Sequence, residues 1–270
     1  RLTLTFGVSA SFLTKLGLEK KRPKLFRDLP AFPKEQLREQ YTGGDIVIQA
    51  CADDEQVAFH AVRNLIRKGR NKVTMKWSQS GFAAIGDRME TPRNLFGFKD
   101  GTANVTTEKD FDKVVWADSQ DWMKNGSYMA VRRIIMHLET WDRTNLQEQE
   151  NTFGRYKESG APFGKQNEFD EVDLSLLPVD SHVRLAKEVD LPILRRSYSY
   201  SDGIDPKTGQ FDAGLLFIAF QKDPDSFVKI QTNLGADDKM NEYVTHIGSG
   251  LFACFGGVKE GGYIGQDLFE

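Results

Sequence analysis

The chain has 270 residues, with 36 Lys and Arg against 39 Asp and Glu and a formal net charge of −3. That length suits two ordinary domains or one large one with a real core, and the charge gives a nucleic-acid partner no electrostatic support. The longest aliphatic and aromatic run, residues 215–220, falls far short of the ~20 residues an integral membrane span needs, and two cysteines, Cys51 and Cys254, cannot build a disulfide scaffold or a thiolate metal cluster.

Arg1 opens the chain inside an apparent strand, Leu2–Val8, with no initiator Met. Residues 17–43 are polar, basic and without period. Residues 45–51 predict a second strand. Asp53 and Asp54 then offer an N-cap, and Val57, Ala58, Ala61, Val62, Leu65 and Ile66 recur at helical spacing, which predicts an amphipathic helix over 54–69. Residues 73–77 alternate and predict another strand. A long strand follows over 127–139, and Thr144-Asn145-Leu146-Gln147 fits a capping box at the start of a short helix. Residues 152–181 are irregular. Strands are expected over 197–201 and 211–220, helices over 225–234 and 238–244, and a closing strand over 251–255.

The second half therefore runs β-α-β-β-α-β, the ferredoxin-like plan, and the first half shows the last four elements of the same plan. The expectation is an α+β fold of tandem ferredoxin-like halves with antiparallel sheets, dimeric α/β-barrel-like, divided at residues 1–125 and 126–270. In the first half an opening strand and helix are expected ahead of Arg1.

Four histidines are available for imidazole chemistry: His60, His137, His182 and His246. His60 lies near the apolar face of its helix and reads as structural. His137 shares a strand face with Ile135, and His246 reads as a charge at a helix C-terminus. His182 stands in a polar segment, Asp180-Ser181-His182-Val183-Arg184, and is either an exposed histidine or a ligand beside an anion partner. Gly97-Phe98-Lys99-Asp100-Gly101-Thr102 brackets an Asp with glycines, which describes a surface turn as well as a pocket wall. In Leu194-Arg195-Arg196-Ser197-Tyr198 two arginines enter a strand on opposite faces, so one can point inward.

In this order the three segments resemble the dye-decolorizing peroxidase family, nearest to its exported iron-uptake branch. Thr91-Pro92-Arg93-Asn94, Trp141-Asp142-Arg143-Thr144, Phe153-Gly154-Arg155-Tyr156-Lys157, Ser159-Gly160-Ala161-Pro162 and Gly248-Ser249-Gly250-Leu251-Phe252 agree with it. The resemblance implies one haem b per chain, between sheet and helices of the C-terminal half, with His182 as proximal iron ligand. It puts Asp100 and Arg195 on the distal, peroxide-binding side, with Arg195 also touching the cofactor. Asp238 is the expected hydrogen-bond partner of His182, with Asp237 and Glu242 as competitors. Gly101, Thr102 and Ala103 would border the haem, Arg155, Arg184 and Lys187 would meet its propionates, and Leu215, Phe217 and Phe252 would form apolar walls.

The implied activity is oxidation of dyes, phenols or iron-related reductants by hydrogen peroxide, linked to iron uptake; the alternative is extraction of iron from haem (deferrochelatase activity) or oxidation of ferrous iron. Implied partners are hydrogen peroxide, a small-molecule reductant or ferrous iron, and components of an iron-uptake system. Homo-oligomerisation and twin-arginine (Tat) export to the periplasm or cell surface are implied in the same way. Two departures stand out: Ser197 where some branches carry Asn, and a short stretch between His182 and Arg195.

Overall fold

A computed structural model describes residues 1–83 and 90–270. Strand β1 (Leu2–Val8), helix α1 (Ala10–Lys15) and strand β2 (Ile46–Ala52) lead into α2 (Glu55–Lys68) and, further on, α3 (Glu108–Val114). Then come β3 (Ser127–Met136), α4 (Leu138–Trp141), α5 (Leu146–Phe153), α6 (His182–Glu188), β4 (Leu194–Arg195), β5 (Tyr198–Ile204), β6 (Phe211–Gln221), α7 (Asp225–Asp237), β7 (Val244–Cys254) and α8 (Gln266–Phe269). Local chemistry explains the helix starts. Asp54 accepts from the Gln56 N–H at 2.7 Å to cap α2, and Asn145 accepts from Glu148 N–H at 3.0 Å to cap α5.

The seven strands form one sheet in the order β2-β1-β7-β3-β6-β4, with β5 also on β6. Within it β7, β3, β6 and β5 are antiparallel neighbours in the ferredoxin-like arrangement. β1 joins them where Gly7 and Val8 pair with Cys254 and Ala253, so the ladder is continuous between the halves.

Directly opposed residues of neighbouring strands share a sheet face. Ala130, Arg132 and Ile134 of β3 stand opposite Ala219, Phe217 and Leu215 of β6 and opposite Leu251, Ser249 and His246 of β7. Helix α7 covers this face, its Phe227 ring 5.6 Å from that of Phe217. The other face carries Met129, Val131, Leu216, Ile218, Tyr200 and Phe252 in a separate apolar cluster.

Several expectations change. Residues 73–77 join no ladder among the described residues; alternation makes a strand only where a neighbouring edge takes its hydrogen bonds, and here Val73 and Met75 stay exposed. Residues 238–244 form a short 3-10 turn, Lys239–Glu242, after which β7 starts at Val244, well before residue 251. Gly248 lies in the ladder opposite Arg133, and a Cβ there would come within 2.9 Å of Arg133 Cβ and 2.7 Å of the Tyr41 carbonyl oxygen, so the position requires glycine. β3 stops at Met136, where His137 turns the chain into α4. His60 is exposed on α2.

Candidate active site

His182 opens α6. The buried Ser181 before it donates from Oγ to the Pro178 carbonyl at 2.8 Å. The His182 Nδ1–H donates to Asp238 Oδ2 at 2.7 Å, and the other carboxylate oxygen accepts from the Met240 N–H at 2.8 Å. Asp238 ends α7 and caps the following turn, so its carboxylate is fixed before it meets the imidazole. Of the three acids proposed from the sequence, this is the one in contact. Burial pushes the His182 imidazole pKa down, and the charge and hydrogen bond of Asp238 more than offset that, leaving it raised. The proton sits on Nδ1, and among the described residues no protein group bonds Nε2. His182 keeps 32% of its side-chain surface open, so its Nε2 edge is available to a ligand.

Arg195 Nη1 meets Asp100 Oδ1 at 2.8 Å, with the two side chains 28% and 18% exposed. Arg195 stands opposite Ala219 and therefore on the face of Phe217 and Leu215. The Arg195 and Asp100 charges both bear on the His182 imidazole, the first lowering and the second raising its pKa.

The loop carrying Asp100 is anchored on both sides. Phe98 stacks on Phe153 at 3.9 Å and Phe96 on Trp141 at 4.3 Å, and Met240 and Tyr243 join the same buried cluster. That cluster ties the Asp100 loop to the turn that follows Asp238. Lys99 Nζ and Thr102 Oγ1 donate to the two oxygens of buried Glu168 at 2.7 and 2.8 Å. Gly101 has φ +121°, a conformation that requires glycine, between these anchors.

The remaining candidates divide. Leu215 and Phe217 lie on the site face. Arg155 is buried, its Nη1 donating to the carbonyls of Gly160 and Glu168 at 2.6 and 2.9 Å. Burial lowers its pKa, with Glu168 opposing and the nearby Arg195 charge reinforcing the fall. Phe252 is on the opposite face, because β-alternation gives the site side to Leu251. Arg184, about 200° around the helix from His182, donates to the Leu174 and Leu177 carbonyls and to Glu188, away from the site. Lys187 and Ala103 are exposed.

Three residues that the sequence reading passed over join the site, Arg132, Glu168 and Asn104, and so does a fourth, His246, which it placed differently. Arg132 is buried on the site face, bonded to Glu35 and Ser249, with its Nε lacking any hydrogen-bond partner. An Arg-Arg pair inside an apolar strand was the available signal. His246 also faces the site rather than capping a helix. Burial, with the Arg132 and His182 charges adding, pushes its pKa down to about 3, so it is neutral. Glu168 and Asn104 sit in polar loops with nothing local to distinguish them. A free imidazole Nε2, an apolar floor of Ala130, Leu215, Phe217 and Leu251, and a buried guanidinium short of an acceptor together suit a flat apolar macrocycle with a central metal and an anionic edge. The residues present fit haem.

Comparison with known proteins agrees. The family description "Dyp-type peroxidase, C-terminal" matches residues 91–259, and "Dyp-type peroxidase, N-terminal" matches residues 1–83. The chain is 40% identical to a protein named Deferrochelatase from Escherichia coli (strain K12), over all of this chain and 69% of that one. The oxyferrous complex of DtpA from Streptomyces lividans superposes with TM-score 0.94 at 39% identity, covering 100% of this chain and 78% of that one. A DyP-type peroxidase from Cellulomonas bogoriensis gives TM-score 0.93 at 35% identity, covering 100% and 79%. The chain belongs to the Dyp-type peroxidase family.

Proposed function

We propose that His182 would hold the iron of haem b and that Asp100 and Arg195 would handle hydrogen peroxide. The chain is a haem-dependent peroxidase, an oxidoreductase with hydrogen peroxide as acceptor. Haem, when bound, supplies the redox chemistry. The protein's own part follows from its geometry. Asp238 holds the His182 ring with the proton on Nδ1 and leaves Nε2 for the metal, and a carboxylate partner strengthens such ligation. The Asp100 carboxylate takes a proton from one peroxide oxygen and returns it to the other. The Arg195 guanidinium stabilises the negative charge that develops as the O–O bond breaks. Arg132 and Arg155 would meet the anionic edge of the ring.

The observation that carries this reading is the His182–Asp238 pair with Nε2 unbonded among the described residues, alongside an Asp100–Arg195 pair whose arginine stands on the face of Phe217 and Leu215. It is tested by the absorption spectrum of haem-loaded protein before and after hydrogen peroxide. A Soret band that keeps its wild-type position and intensity in His182→Ala contradicts the ligand assignment.

A finer reading rests on the relatives named Deferrochelatase, which match the whole chain. In it the protein serves iron uptake outside the cytoplasm, on ferrous iron or on haem iron. Among the described residues no helix is long and apolar enough to cross a membrane. Iron-free porphyrin appearing on incubation with haem supports this reading, and intact haem after many peroxide turnovers counts against it. We also take residues 1–125 and 126–270 as the two halves of the fold.

A further inference from the structure

We infer that Asn104 is a positioning residue, whose side-chain amide clamps the Arg195 peptide and so sets where the Arg195 guanidinium meets Asp100. The inference rests on the reading of Asp100 and Arg195 as the peroxide-handling pair.

β4 has only two residues, and it pairs with β6 along one edge, Leu194 with Phe220 and Arg195 with Ala219. Its other edge needs a partner for the Arg195 N–H and C=O. Asn104 provides both at once. Its Nδ2 donates to the Arg195 carbonyl at 2.8 Å, and the Arg195 N–H donates to its Oδ1 at 2.8 Å. A carboxamide presents one donor face and one acceptor face, as a peptide does. Here a side chain stands in for a neighbouring strand, across 91 residues of sequence.

Asn104 is itself tied to Asp100. Its own N–H donates to the Gly101 carbonyl at 2.9 Å, closing a tight turn that begins one residue after Asp100. A Cβ on Gly101 would lie 3.4 Å from the Asn104 amide nitrogen. The connections form a closed ring: Asp100, the turn, the Asn104 amide, the Arg195 peptide, the Arg195 side chain, and the ion pair back to Asp100. The ion pair cannot maintain this geometry alone, because partly exposed pairs contribute little and arginine is a long, flexible side chain. Fixing its backbone beside the carboxylate is what the clamp adds.

The test uses haem-loaded protein and compares Asn104→Ala and Asn104→Asp with Arg195→Leu, Asp100→Asn and the Asn104→Ala/Arg195→Leu double variant. The rate constant for reaction with hydrogen peroxide and the hydrogen exchange of the Arg195 amide are measured. Asn104→Ala is expected to slow the peroxide reaction about 10- to 100-fold, the range for a small misplacement of a catalytic group. The Soret band and haem content should be unchanged and the Arg195 amide should exchange faster. Asn104→Asp keeps the acceptor and loses the donor, so it should protect that amide and react at an intermediate rate. In the Arg195→Leu background the Asn104→Ala effect on rate should vanish, since it acts through that guanidinium. A wild-type peroxide rate in Asn104→Ala, or a slowing that persists in full without Arg195, overturns the inference while leaving the pair's role intact. Wild-type rates in Arg195→Leu and Asp100→Asn overturn the underlying reading instead. Should Asn104→Ala not fold, Asn104→Asp carries the same comparison.

Discussion

Arg132 and Arg133 are adjacent on β3, and Arg195 and Arg196 are adjacent at β4, and in each pair the pleat sends the first to the site face and the second to the opposite face. On that opposite face Arg133 has no exposed side-chain surface. It bonds Gln79 at 2.7 Å, Asp202 at 2.8 Å and Asp212 at 3.2 Å, and its guanidinium carbon lies 4.4 and 4.2 Å from the ring centres of Tyr41 and Tyr200. Arg196 lines a cavity of about 310 Å³ together with Cys51 and Trp116. On the site face Arg195 has one carboxylate and an open side, whereas the buried Arg132 Nε and Arg133 Nη1, one on each face, both lack an acceptor among the described residues. A guanidinium ringed by two carboxylates, an amide and two aromatic rings holds the sheet together. One whose partners leave room is available to a ligand.

That contrast can be broken or sharpened by substitution. The largest effect is expected for the Asp100→Asn/Arg195→Leu double variant, whose reaction with peroxide should slow by about 10⁴-fold at unchanged haem content, followed by stopped-flow absorbance. Arg133→Met should do the reverse: folding stability falls by about 3 kcal/mol in a denaturant melt, while the folded protein reacts with peroxide at close to the wild-type rate. A rate loss in Arg133→Met matching that of the distal pair would remove the distinction between the faces.

Glu168→Gln gives a smaller, pH-dependent effect. Burial raises the Glu168 pKa, but hydrogen bonds from Lys99, Thr91 and Thr102 and the Lys99 charge outweigh it, so the folded value lies below the usual glutamate range. A depressed carboxylate stabilises the fold above its unfolded value of about 4.3 and loses that contribution as pH falls through the folded value. Wild type should therefore lose stability more steeply than Glu168→Gln below about pH 4.3, in melts recorded across acid pH. Parallel curves for the two proteins contradict the anchoring role.

Much of the fold was legible because its signals are local. The α2 cap at Asp54 and the apolar repeat behind it lie within one helix, and β6 announces itself as an apolar run. β7 was only half legible. The expected start at residue 251 left out Val244–Gly250, which are strand because they pair with residues 131–136 of β3, remote in sequence. His182, Asp100 and Arg195 could be picked out together because three separate segments occur in a recognisable order. Choosing among Asp237, Asp238 and Glu242 needed the 2.7 Å contact. Asn104 and Glu168 carry no local mark, since their partners lie 91 and 66 to 69 residues away. Phe252 was misplaced by one step of β-alternation.

The central claim is that His182, and not the other imidazole on that face, holds the metal. Electron–nuclear double resonance on haem-loaded protein with ¹⁵N-labelled histidine tests it directly. One strongly coupled histidine nitrogen is expected in wild type, retained in His246→Ala and lost in His182→Ala. Loss of the coupling in His246→Ala with retention in His182→Ala would contradict the account.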